Sequence, residues 1–476
     1  MGQMAHSLTQ NPKHKTHYLN MQLWNKHTND NINRDWFFDF TTAEDRACDE
    51  HLISYDIRCN LAQAEMLEKI GVYSSDELNQ VRGALNELHQ EWVKGEFTLQ
   101  QDDEDVHSAI EKALIKRCGD PGMKIHTGRS RNDQVLTDIR MFAKDQLLGA
   151  MELVNGIIGQ LERLAGKYNG VMFAGYTHTQ PAMPTSVDAW AYGYMDSLLQ
   201  NQQALKQAFN LVDQSPLGAA AGYGVPFLSI DRELTAKLLG FSRVQWAVTA
   251  VQLQRGAHEK QVVGALSAVA YTLNRLASDV VFLSSNDRGI ITLSEDQTSG
   301  SSIMPQKRNP DAWELIRAEY SWFVGVEAQL GATGVNLISG YHRDFQITKK
   351  ALMDAFARAE RLFRVAEKCL SGTEFNAEKC KSSLTAELFA THRALEAVVQ
   401  GVPFREAYRA VGTSLENHAS LEKYLEMGAS AYKVAGFPGH PAAEYYQKER
   451  QAHAQWVQAE LQKTNKVIEH ALRPLA

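Results

Sequence analysis

Long stretches of this chain repeat their apolar residues every three or four positions, the period of an α-helix with one buried face. Leu352, Phe356, Ala359, Phe363, Ala366 and Leu370 step this way, and Gly372 stops the helix they predict. Trp313, Ile316, Tyr320, Phe323 and Val324 follow the same spacing. The most apolar stretch, Val262 to Leu283, is interrupted by Ser267, Asn274, Arg275 and Asp279. It is too polar to span a bilayer and reads as a buried helix. Alternation with a period of two, the mark of a half-buried strand, is scarce. The pattern therefore predicts an all-α protein whose middle third, from about 133 to 370, is a bundle of long helices separated by glycine and proline clusters.

Helix starts are marked by caps. Ser108-Ala109-Ile110-Glu111 has the spacing of a capping box and predicts a helix from about 109. The acidic run Asp102-Asp103-Glu104-Asp105 ahead of it suits that helix's dipole and closes a separate helical unit of about a hundred residues. His107, immediately before the cap, is left without a role. Ser130 to Asp133 repeats the capping spacing at the head of the next long helix. Residues 298–309 read as a loop feeding a helix near 310, with Asn309 as N-cap and Pro310 at the first helical position.

Composition narrows the class. The 476 residues suffice for two or three domains, and 44% hydrophobic with 22% charged residues is ordinary for a soluble globular protein. A formal charge of −7 argues against a nucleic-acid surface but leaves room for a local basic pocket. The five cysteines are scattered, with no CxxC, as expected of a reduced cytosolic protein. No secretory signal opens the chain, and residues 1–20 are polar. Neither a membrane nor a nucleic acid is expected as a partner.

Four segments carry candidate chemistry. Gly300-Ser301-Ser302-Ile303-Met304-Pro305-Gln306-Lys307-Arg308-Asn309-Pro310-Asp311 puts serines beside two cations and a helix N-terminus, where a hydroxyl loses its proton more readily. A solvated Gly/Ser turn is the plainer reading. His126 to Asp133 gathers two arginines, two hydroxyls and an amide, either an anion pocket or a basic helix cap. Gly175-Tyr176-Thr177-His178-Thr179-Gln180-Pro181 is a donor-rich turn whose histidine suits proton transfer near neutral pH, or merely structure. Gly340-Tyr341-His342-Arg343-Asp344-Phe345-Gln346 precedes the helix holding Lys349. Ser215 to Gly224 is glycine-rich, but no strand precedes it, so it is not a dinucleotide loop.

Thr298 to Asp311 resembles the signature loop of the fumarase/aspartase superfamily, and its full form is most similar to that of the argininosuccinate lyases. His126 to Val135 and Gly175 to Gln180 resemble two further signatures of that family, and Pro216 to Gly224 its bend near the site. The resemblance runs from about residue 20 to the end. It implies a three-domain fold: a helical N-terminal domain over 1–115, a long-helix bundle over 116–370 and a small helical domain over 371–476. It implies cleavage of argininosuccinate to arginine and fumarate by anti β-elimination, the last step of arginine biosynthesis, in the cytoplasm and without metal or cofactor. By the same resemblance Ser301 is the base, Lys307 a cradle for the intermediate, and His178 the partner acid or electrostatic helper, paired with Glu314. Asn132, Arg131, Thr177, Asn309, Tyr341, Gln346 and Lys349 are implied to bind substrate. Family members are homotetramers whose three signature segments reach one site from three subunits. Two rivals are another fumarate-releasing lyase, of adenylosuccinate or aspartate type, and a noncatalytic structural homologue. The chain departs from the family pattern at Ala247 to Ala250 and Gln254 to Ala257, and at Leu23-Trp24-Asn25-Lys26-His27. No site residue is carried over from 245–260.

Overall fold

The computed structural model describes residues 35–415 and 419–473; the polar stretch 1–20 and the departure at 23–27 lie outside them. Helices α1 (Asp35–Asp49), α2 (Ile53–Lys69), α3 (Ser75–Val93), α4 (Val106–Cys118) and the short α5 (Asp120–Lys124) come first. Helix α6 (Arg131–Lys167) then opens the bundle, followed by the hairpin β1 (Met172–Thr177) and β2 (Gln180–Ser186) and by α7 (Val187–Val212). A segment of β3 (Gln214–Ser215), α8 (Arg232–Leu238), β4 (Arg243–Val244) and α9 (Val248–Leu253) leads into α10 (Ala257–Leu283) and β5 (Ile291–Leu293). Helices α11 (Asp311–Thr333) and α12 (Ile347–Ser371) complete the bundle. The rest is β6 (Thr373–Phe375), α13 (Ala377–Ser382), α14 (Ala390–Val399), α15 (Phe404–Gly412), α16 (Ala419–Met427) and α17 (Ala443–Ala471).

The bundle forms because its helices are too apolar on one side to stand alone. Every position of the stripe Leu352, Phe356, Ala359, Phe363, Ala366, Leu370 is buried, and α12 ends at a Gly372 cap. Helix α10 lies against α7, α11 and α12, while α6 packs on α7 and α12. The C-terminal α17 folds back onto α6 and α7, and its Val457 joins the same core. The few strands pair in twos: β1 with β2 antiparallel, β3 with β4 parallel, β5 with β6 antiparallel. No helix among the described residues is long and apolar enough to cross a membrane.

Three local expectations are corrected. The capping box before α4 is Asp105 with Ser108, not Ser108 with Glu111: the Asp105 carboxylate accepts from the Ser108 N–H at 2.8 Å, and the Ser108 hydroxyl accepts from the Asp105 N–H at 3.2 Å. Asp105 lies one turn earlier with extended backbone, so the helix begins there and His107 falls inside its first turn. Asn309 does not cap α11. Its backbone is consumed in a two-way bridge with Ser299 that closes the loop, and its amide turns back to the Gly300 carbonyl at 3.4 Å, so the helix starts at Asp311. Val324 is 44% exposed, because the buried stripe of α11 runs through Phe323, Val326 and Leu330 instead. The Ser130–Asp133 box is present as expected.

Candidate active site

Four stretches distant in sequence meet at one cavity of about 120 Å³. The end of α1 supplies Asp45 and Asp49, and the head of α4 supplies Asp105 and His107. The start of α6 brings Arg131 and Asn132, the turn before α12 brings Tyr341 and Gln346, and the first turn of α12 brings Lys349. Five of the residues singled out as substrate ligands thus line a single lumen.

Most of its charges are already engaged. Lys349 is buried and bridges Asp49 at 2.5 Å and Asp45 at 2.7 Å. Burial opposes its charge, but the two carboxylates outweigh that and raise its pKa, so it stays protonated. Arg131 reaches Asp105 at 2.6 Å and Glu104 at 3.0 Å. Burial alone would raise Asp105; the charges of His107 and Arg131, with the cap hydrogen bond, overcome it and hold the carboxyl at about 2. Gln346 donates to the Thr41 carbonyl at 2.7 Å. The Arg255 guanidinium sits 4.8 Å above the Tyr341 ring, a cation–π contact that fixes one face of the phenol.

The remaining candidates stand elsewhere on the chain, at its surface. Ser301 is half-buried in its loop, and its hydroxyl oxygen accepts from the N–H groups of Met304 at 3.1 Å and Ile303 at 3.4 Å. Donors aimed at that oxygen favour its deprotonated form. Lys307 is exposed a few residues on, ahead of the N-terminus of α11. His178 and Thr179 form the two-residue tip of the β1–β2 hairpin, at φ 53° and 60°. Such a tip needs left-handed backbone twice, which glycine or asparagine meets cheaply and a β-branched threonine does not. Strain of this kind clusters at functional sites. Thr177 pairs with Gln180 beneath it. Glu314 is exposed and faces Arg317 at 3.8 Å, and the structure shows no bond between it and His178 within one chain.

The glycine-rich bend is held by Asp133. One carboxylate oxygen accepts from the N–H groups of Gly218 at 2.8 Å and Ala220 at 2.7 Å, the other from that of Ser130 at 3.0 Å. Gly218 has φ 85°, and a Cβ there would meet Arg232 at 2.8 Å, so only glycine brings the backbone this close. Among the described residues, the group with spacing to hold a metal ion is the buried trio Asp56, His107 and Asp138.

Several residues in or beside the lumen escaped the sequence reading. Asp45 and Asp49 are one turn apart on α1, a spacing that puts two carboxylates on one face. The acidic run at 102–105 suits the helix dipole, and its sequence does not mark the grip of Glu104 and Asp105 on Arg131. Arg255 lies in the segment that departs from the family pattern, where nothing local marks it.

A family model described as Lyase matches residues 31–325. The chain is 42% identical over 372 residues to an argininosuccinate lyase of Thermotoga neapolitana, covering 78% of this chain and 93% of that protein. It is 40% identical to an argininosuccinate lyase of Sorangium cellulosum, over 82% of this chain and 92% of the relative. Among solved structures, an EDDS lyase in complex with formate superposes with a TM-score of 0.74 at 20% identity, over 92% of this chain and 94% of that one. A class II fumarase from Schistosoma mansoni does so with a TM-score of 0.66 at 18% identity, over 80% and 91%. At such identities the two structures speak to the fold alone.

Proposed function

The chain belongs to the argininosuccinate lyases of the fumarase/aspartase superfamily, and from that premise we propose that it cleaves argininosuccinate to arginine and fumarate by anti β-elimination, as the arginine-forming step of a cytoplasmic pathway. The observation that carries the reading is the convergence of Arg131, Asn132, Tyr341, Gln346 and Lys349 on one lumen. A dicarboxylate bearing a guanidinium needs both signs of charge around it, and this lumen offers both.

The reaction removes a weakly acidic proton from the carbon beside a carboxylate, breaks the neighbouring C–N bond and protonates the guanidino group that leaves. Ser301 takes the carbon-bound proton, helped by the two N–H groups that stabilise its alkoxide. Negative charge then gathers on the substrate carboxylate, where Lys307 and the N-terminus of α11 lower its energy. His178, oriented by Glu314, serves as the partner acid or electrostatic helper, and Thr177 and Asn309 hold the substrate beside it.

The site is completed by other copies of the chain, most simply in a homotetramer. A cavity of about 120 Å³ is smaller than the roughly 300 Å³ or more typical of a small-molecule site. His178 is exposed and Ser301 sits in a largely exposed loop, while Ile303, Leu315 and Val324 leave apolar surface uncovered on the loop and on α11. Helices α10 and α11 are the natural contact. In this arrangement the chain divides into units near 115 and 370. The test is fumarate release, followed by ultraviolet absorbance, when argininosuccinate is added to purified protein. Release from aspartate or adenylosuccinate alone would point to a different lyase, and none from any of them to a noncatalytic homologue.

A further inference from the structure

His107 projects from the first turn of α4 into the wall of the cavity, and its other side is gripped from behind. Its Nδ1 donates to Asp56 at 2.8 Å, and Asp138 stands 3.7 Å from the same nitrogen. The two aspartates are fully buried, on α2 and α6. Besides His107, Asp56 accepts from Gln134 at 2.6 Å and Asn60 at 2.9 Å, so both of its oxygens have donors. Asp138 is the opposite. Neither of its oxygens finds a donor, and its nearest acidic neighbour is Asp56. Two ionised carboxylates cannot lie together in an interior; a proton on Asp138 turns that clash into a hydrogen bond to Asp56. His107 Nε2 is buried and unpartnered as well.

We propose that Asp138, Asp56 and His107 form a buried relay that fixes the orientation and the positive charge of the imidazole at the cavity wall, making Asp56 and Asp138 positioning residues for the elimination. The inference rests on the lyase reading. One proton stays on Asp138, Asp56 carries the negative charge, and the His107 imidazolium points its Nε2–H donor at an anionic group of the substrate. Other charges facing His107 are Asp105 on its own helix, Asp49 of α1, His126 and Arg129 of the loop before α6, and Lys349 of α12. Asp49 is taken up by Lys349 and Asp105 by Arg131, while burial and Arg129 drive His126 to about 4, leaving it neutral. Burial disfavours a charged His107, and Asp56 with Asp105 and Asp49 outweighs it, raising its pKa. The same trio could be read as a metal site. Against that, 2.8 Å between Nδ1 and Oδ1 is the length of a bond through a proton, whereas two zinc ligands at tetrahedral angles stand about 3.3 Å apart.

The test is the pH dependence of kcat/KM for fumarate release, which reports groups of the free enzyme. In the wild type one limb falls as His107 loses its proton, above the ordinary histidine pKa. Asp56→Asn should move that limb down by about one pH unit or more, with activity recovered on the acid side. Asp138→Asn keeps a donor toward Asp56 and should leave the limb where it is. His107→Gln should abolish the limb. Equal loss at every pH in Asp56→Asn, with an unmoved limb and an unchanged melting temperature, would overturn the relay. So would a large limb shift in Asp138→Asn, which means an ionised Asp138, or a stoichiometric metal in the purified protein by mass spectrometry. A wild-type protein that releases no fumarate would instead defeat the lyase reading.

Discussion

At the scale of the residue, two side chains make separable predictions. Ser301 sits in a loop and fills no core, so Ser301→Ala should cost less than about 1 kcal/mol of stability while turnover falls to near background. Substrate affinity should fall less than kcat, because the hydroxyl acts in the transition state. Near-normal turnover in a folded variant would remove Ser301 from the role of base. Asp105 predicts a pH effect. Its folded pKa of about 2 lies below the ordinary value, so its contribution is complete above about pH 4 and is lost as the pH falls toward 2. The shift corresponds to about 2 kcal/mol. Asp105→Asn keeps a cap but not the charge, so its stability deficit against wild type should be about that size at neutral pH and should close between pH 4 and 2. Denaturant titrations at several pH values read this directly; a deficit independent of pH would mean that cap geometry alone is lost.

At the scale of the element, Asp133 closes the capping box of α6 and ties down the bend at 216–224 at once. Asp133→Ala strands three backbone N–H groups, among them the reciprocal half of the α6 capping box, on the order of 3 kcal/mol. The variant should also open the bend to proteolysis first; uniform destabilisation without local cleavage would argue against the coupling. The long helices were legible in the sequence because burial imposes a period on them, and α12 matched its stripe position by position. Caps were legible by type but slipped by a turn where two candidates competed, as Asp105 did with Ser108. The hairpin at 172–186 left no period-two trace, because its strands carry prolines and glycine and take their shape from the tip and from packing on the rest of the chain. Arg131, Asn132, Tyr341, Gln346 and Lys349 were named through resemblance, and their convergence is geometry that no local pattern encodes. Asp45, Asp49 and His107 owe their place to the crossing of α1, α4 and α12, which a linear reading does not show.

At the scale of the whole molecule, the chain carries a partly built pocket on one region and the loops proposed to be catalytic on others. An active species of 53 kDa in light scattering would therefore contradict the oligomer, for which about four times that mass is expected. The most direct test of the central claim, that this is a lyase whose sites are shared between copies, is complementation between two dead variants. Ser301→Ala and His178→Asn should each be nearly inactive alone. Dissociated together and reassembled, some sites would receive an intact serine from one chain and an intact histidine from another. Random mixing should restore on the order of a quarter of wild-type fumarate release from argininosuccinate, since each site needs one good copy of each group. No recovery, with mixed oligomers verified by native mass spectrometry, would contradict the account.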